Sequence, residues 1–108
     1  MKVVITETAS ESLWPIYQYH CQYSEEFANR FQRNIDHFLL ESLRANPLLG
    51  HVFHEGRDLR RLIFRKRYNI YYTIREDRVF VLFVFDGRMD INGFLQVHGL
   101  DPDPLVEE

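Results

Sequence analysis

Six cations, Arg57, Arg60, Arg61, Arg65, Lys66 and Arg67, fall within eleven residues that hold one acid, Asp58, giving the stretch a local charge of +5. Tyr68, Tyr71 and Tyr72 follow at once. Guanidinium groups grip phosphate oxygens and tyrosine rings stack on bases, so this mixture of residue types suits a polyanion. RNA cleavage without a metal could run on such a set. An acid–base pair would deprotonate a 2′-hydroxyl while the arginines stabilise the charged phosphorane. The run fits a solvated sheet face equally well, because arginine stems also cover apolar surface. Tyr68 and Tyr72 fit a core position with their hydroxyls at its edge, which leaves Tyr71, on the other face, as the candidate for contact.

Other chemistries find no frame. His51-x-x-His54 with Glu55 lies in a predicted loop, lacks the helical spacing of a zinc-binding HExxH motif and has no cysteine cluster beside it, so no metal is predicted. The sequence contains no phosphate-cradling glycine loop, no G-x-S-x-G elbow and no cysteine–histidine frame, and no cofactor is predicted. Cys21 is a lone cysteine that cannot close an internal disulfide. A chain of 108 residues, 45% hydrophobic and 15% aromatic, is expected to bury one core. No apolar run approaches the roughly 20 residues of a membrane span, and the start is too short for a secretory core, so the expected location is cytoplasmic. The net charge of -3 is set by the tail, where Asp101, Asp103, Glu107 and Glu108 meet no base. Residues 1–100 therefore read as one domain and 101–108 as an acidic, mobile extension.

The elements that must position the basic stretch follow from periodicity. Val3 to Thr6 is short and β-branched and reads as a strand. Thr8-x-x-Glu11 has capping-box spacing and predicts a helix from about Ala9, with Leu13 and Ile16 on its apolar face and Pro15 kinking or delaying it. Ser24, Glu25 and Glu26 form a second helix start, and Phe27, Phe31, Ile35, Phe38, Leu39 and Leu43 make its stripe. Asn46-Pro47 stops that helix and Gly50 allows a turn. Strands are predicted over 58–64, 67–75 and 79–85, with Glu76-Asp77 at a hairpin tip. Tyr68, Ile70, Tyr72 and Ile74 alternate with Asn69, Tyr71, Thr73 and Arg75, the period of a sheet with one buried face. The last strand is apolar throughout and is expected to be central. The expected fold is α+β, in the order β-α-α-β-β-β, a helical pair packed on a mostly antiparallel four-stranded sheet.

Ordered along the chain, Val4, Thr6, Ala9 and Leu13, then Pro47-x-x-Gly50, Leu59-Arg60, Tyr68-Asn69-Ile70-Tyr71-Tyr72 and Val84-Phe85-Asp86-Gly87-Arg88-Met89-Asp90 resemble the RelE/ParE superfamily of toxins from bacterial type II toxin–antitoxin modules. The likeness is greater to the ParE, plasmid-stabilisation branch than to the RelE branch. RelE-like ribonucleases follow the tyrosine of the penultimate strand with a catalytic arginine, where this chain has Asn69, and carry a later tyrosine that falls near Phe94 here. Arg88 keeps the arginine expected after the last long strand. Asp86 and Met89 stand where ParE-like proteins commonly have histidine and arginine.

The resemblance implies a toxin that binds a cellular protein, DNA gyrase in the ParE branch, and a cognate antitoxin that holds it in a hetero-oligomer. An antitoxin of this kind would lay an amphipathic helix or an extended strand over the sheet and helical pair, with acids against the arginine stretch. Arg57, Arg60, Arg61, Arg65, Lys66, Arg67, Tyr71 and Arg88 are the implied target or antitoxin contacts. The alternative is a metal-independent, ribosome-dependent mRNA endonuclease with Arg65, Arg67 and Arg88 on the phosphate and Glu55 or Asp86 as base. A third possibility is an inactive orphan that keeps the fold.

Overall fold

In the computed structural model, which describes residues 1–54, 56 and 58–87, the chain runs β1 (Lys2–Ile5), α1 (Glu7–Cys21), α2 (Glu25–Ala45), β2 (His51–His54), β3 (Leu59–Phe64), β4 (Tyr68–Arg75) and β5 (Arg78–Asp86). The five strands form one sheet in the order β1-β5-β4-β3-β2, with β1 parallel to β5 and every other pair antiparallel. The α+β class and the helical pair hold, and the strand count is corrected from four to five. The added strand is the His51–His54 segment expected as a loop. It pairs through His51↔Arg61 and Val52↔Arg60, with an irregularity before His54↔Leu59. Four residues with histidine at both ends and a bulge between them carry too little alternation for a strand to be legible.

α1 starts two residues earlier than Thr8 allows. Its N-cap is Thr6, whose Oγ1 accepts from Ala9 N at 3.2 Å and donates to Val81 O at 2.7 Å. The choice is tertiary: β1 ends at the Ile5↔Val81 pair, and the next residue caps the helix while holding the edge of β5. Pro15 interrupts nothing. It sits on the exposed side of a continuous helix, where the carbonyl its missing N–H would have bonded belongs to the exposed Glu11 and can be met by water. α2 is capped as expected by Ser24, whose Oγ accepts from Phe27 N at 3.1 Å. Its buried face is Ala28, Phe31, Ile35, Leu39 and Leu43, whereas Phe27, expected in the stripe, is exposed.

The apolar character of β5 has its cause in position. It lies between β1 and β4, and both of its faces are buried. Against β4 the register passes from Tyr71↔Phe83 to Tyr72↔Val81, so Leu82 is an extra residue that bulges β5 and reverses its alternation. Val79, Val81 and Val84 therefore join the helix-side core, while Phe83 and Phe85 join Leu59 and Tyr71 on the opposite face. Backbone groups around the bulge are met by α1: Val84 N donates to Ser12 Oγ at 2.8 Å, and Ser12 Oγ donates to Ala9 O at 2.7 Å. Ser12 is buried, and its small side chain lets the helix approach the strand this closely.

Candidate functional site

The arginine stretch does not form one surface, because the pleat of β3 sends neighbouring side chains to opposite faces. Arg60 lies opposite Tyr72 on the helix side and is half-buried. Its Nη1 donates to Gly50 O at 2.8 Å, the Tyr72 hydroxyl accepts from Gly50 N at 2.8 Å, and that hydroxyl donates to Pro47 O at 2.7 Å. Together they clamp the loop between α2 and β2. A Cβ on Gly50 would stand 2.8 Å from Arg61 O and 2.8 Å from the Tyr72 ring, so Gly50 admits no side chain without movement. Pro47-x-x-Gly50 is thus a structural pattern, and Arg60 belongs to it.

Arg61 points the other way, with its guanidinium carbon 5.3 Å from the centre of the Phe53 ring. Tyr71, expected on the other face as the candidate for contact, lies on that face but is corrected to a core residue at 4% exposure, packed with Phe53, Phe83 and Phe85. Burial raises its pKa, and the neighbouring Arg61 opposes that rise. The sequence pattern foresaw the separate face but not what fills it, since the β5 bulge brings the two phenylalanines there.

Arg65 and Lys66 occupy the β3–β4 turn, which Arg67 N closes by donating to Phe64 O at 3.2 Å. Both central residues have positive φ, 53° and 60°, the type I′ geometry that favours Asn-Gly. Both side chains are exposed. The Glu76-Asp77 turn at the other end of β4, expected as a hairpin tip, repeats the conformation with φ of 52° and 61°.

Arg67 turns inward. Its Nε donates to Asp86 Oδ2 at 2.8 Å and its Nη2 lies 2.7 Å from the same oxygen. The Arg67 guanidinium also stands over Tyr19 and Tyr68, 5.7 and 5.3 Å from the ring centres. Beneath it His20 Nε2 is 3.1 Å from the Tyr68 hydroxyl, and both residues are buried. Burial lowers the His20 pKa, the Arg67 charge adds to that, and Asp86 opposes it. Burial also raises the Tyr68 pKa, with Arg67 opposing. Arg67 and Asp86, a phosphate ligand and a base in the ribonuclease alternative, are thus occupied with each other. Arg57, Arg88, Glu55, Met89, Phe94 and the tail 101–108 lie outside the described residues. Among the described residues no cluster of three or more metal-ligating side chains occurs.

Around this end of the sheet lies an exposed group of which the sequence pattern marks Phe27 alone, and that as core. Tyr19, Tyr23 and Phe27 are exposed at the corner between α1 and α2, with Tyr23 at 73%. Tyr19 and Tyr23 meet edge to face at 5.5 Å, and Arg30 stands 5.9 Å over Phe27. The His20 ring joins the set, 5.6 Å from Tyr19, 5.0 Å from Phe27 and 4.7 Å from Phe31, and Arg65 stands over Phe31 and Phe64. The available signal is three aromatics, Tyr19, Tyr23 and Phe27, gathered around the break between the two helices. A second surface feature is a groove of about 440 Å³ between the helices, lined by Ile5, Leu13, Tyr17 and Asp36, with Trp14 at 58% exposure stacked on Tyr17.

Residues 3–91 match a family described as ParE toxin of type II toxin-antitoxin system, parDE. No curated protein matches the chain significantly.

Proposed function

Because the chain belongs to the ParE toxin family of type II toxin–antitoxin systems, we propose that it arrests growth by binding DNA gyrase and that a cognate antitoxin neutralises it in a hetero-oligomeric complex. The observation that carries this reading is the family match, which spans 89 of the 108 residues. The state of the arginines is consistent with it. A ribonuclease needs guanidinium groups free to meet a phosphate, and Arg67 is engaged by Asp86. Asn69, which follows Tyr68 where the ribonuclease branch has arginine, offers no charge to replace it. Among the described residues of the arginine stretch, Arg65 and Lys66 are exposed on the β3–β4 turn, a pair of cations that suits a protein carrying carboxylates.

The test is induced expression followed by separate assays of plasmid supercoiling and mRNA integrity. Growth arrest with loss of negative supercoiling and intact message is the expected result, and co-expression of the cognate antitoxin restores growth. Cleaved message with normal supercoiling supports the endonuclease alternative. Unaffected growth at full expression supports the inactive orphan.

A further inference from the structure

We propose that the corner between α1 and α2, together with the β3–β4 turn, is a docking site for a protein segment that carries carboxylates beside an apolar or aromatic side chain. The inference deepens the proposed function and rests on its premise that the chain works by binding a protein. Six residues make the site: Tyr19, Tyr23 and Phe27 supply exposed rings, and Arg30, Arg65 and Lys66 supply charge. Their continuity runs through buried rings, since His20 touches both Tyr19 and Phe27 while Phe31 touches both His20 and Arg65. The support beneath the surface is therefore packed and preformed.

Charge complementarity identifies the occupant. Among the described residues neither Arg65 nor Lys66 has a carboxylate partner, and the ion pair at this end is the inward one of Arg67 and Asp86. The turn holds both cations at positive φ, a conformation that residues with a Cβ disfavour. Exposed tyrosines and arginines gathered over a packed base are the residue types that dominate protein interfaces. A nucleic acid fits less well. Glu25 and Glu26 are exposed between Tyr23 and Phe27, and a strand carrying a phosphate at every nucleotide would be driven against them. A peptide can set its acids on Arg65 and Lys66 and its apolar residue on Tyr23 and Phe27, leaving Glu25 and Glu26 in water.

The experiment uses the full chain and three fluorescent probes: a peptide of alternating Glu, Leu, Asp and Trp residues, the same peptide with Gln and Asn replacing its acids, and a fifteen-nucleotide oligo-dT. The acidic peptide is expected to bind, to weaken with salt, and to lose about tenfold or more in affinity in Arg65→Glu/Lys66→Glu and in Tyr23→Ala. All these side chains are exposed, and unchanged thermal midpoints show that the variants fold. Equal binding of the uncharged peptide, unaltered affinity in the charge-reversed protein, or tighter binding of oligo-dT overturns the site. The same variants separate this inference from the function it rests on. If the wild-type protein leaves gyrase unaffected yet holds the acidic peptide in this way, the gyrase reading fails and the docking site stands. If the charge-reversed protein holds the acidic peptide as tightly as the wild type and both inhibit gyrase, the docking site fails and the gyrase reading stands.

Discussion

Tyr68 and Tyr72 lie four residues apart on the same face of β4, both buried in the same core, yet their hydroxyls live in different chemistry. Tyr72 binds backbone alone, accepting from Gly50 and donating to Pro47, and neither partner can change its charge. Tyr68 meets His20, which sits under Arg67 and near Asp86, so a proton gained at this end changes the balance of the whole group. One end of the strand is architecture that fixes a loop. The other underlies an exposed set of rings and cations and can respond to its surroundings. Identical residue type and strand position do not separate them; the partners brought by the fold do.

The largest expected effect breaks the architectural end. Gly50→Ala places a methyl group 2.8 Å from a backbone oxygen and from the Tyr72 ring, and should cost about 3 kcal/mol as the clamp opens. Chemical denaturation would detect it as a lower midpoint at unchanged slope.

Next, removing the two hydroxyls should sharpen the contrast. Tyr72→Phe strips partners from the buried Gly50 N–H and from Pro47 C=O, and should cost about 2 kcal/mol. Tyr68→Phe loses one bond to a histidine that keeps its aromatic neighbours, and should cost about 1 kcal/mol. Equal losses would erase the distinction between the two ends.

A third test uses pH. In the folded protein the His20 pKa lies below its ordinary value of about 6.5. The folded state thus binds fewer protons than the unfolded chain. His20 therefore contributes stability above about pH 6.5 that is lost as the pH falls towards its lowered folded value. Asp36 works in the opposite sense, since burial raises its carboxyl pKa despite the bond from Gln32. Denaturation of wild-type and His20→Phe proteins at pH 7.5 and 5.5 isolates the histidine. The variant should lose less stability on acidification, and parallel losses would remove His20 from the account.

How much of this was legible beforehand depends on whether the cause was local. The stripe of α2 from Phe31 onward, its Ser24 cap, the Glu76-Asp77 tip and the central place of β5 were readable because each follows from spacing or from residue type at one site. The Thr6 cap, the Leu82 bulge and the burial of Tyr71 were not, because each is decided by a strand paired from the far end of the chain. The same limit governed the candidate site. Six cations in eleven residues were visible, but β3 places Arg60 and Arg61 on opposite faces and Asp86 draws Arg67 inward. Phe27 read as core by its spacing, and at the end of the stripe it is exposed instead.

The smallest expected effect compares the two strained turns. Replacing Glu76-Asp77 by Glu76→Asn/Asp77→Gly should raise stability by about 1 kcal/mol, and Arg65→Asn/Lys66→Gly should do the same, because both turns then carry residues that favour positive φ. Thermal midpoints should rise together. Growth arrest should survive the first change and be lost with the second, a difference that stability alone would not produce.

The most direct measurement places purified gyrase with wild-type and Arg65→Glu/Lys66→Glu proteins side by side and follows supercoiling of a plasmid, with ribosome-bound mRNA in parallel. The wild-type protein is expected to block supercoiling and leave the message whole, and the folded charge-reversed protein to leave both untouched. Cleaved mRNA with supercoiling unaffected by the wild-type protein would contradict the account.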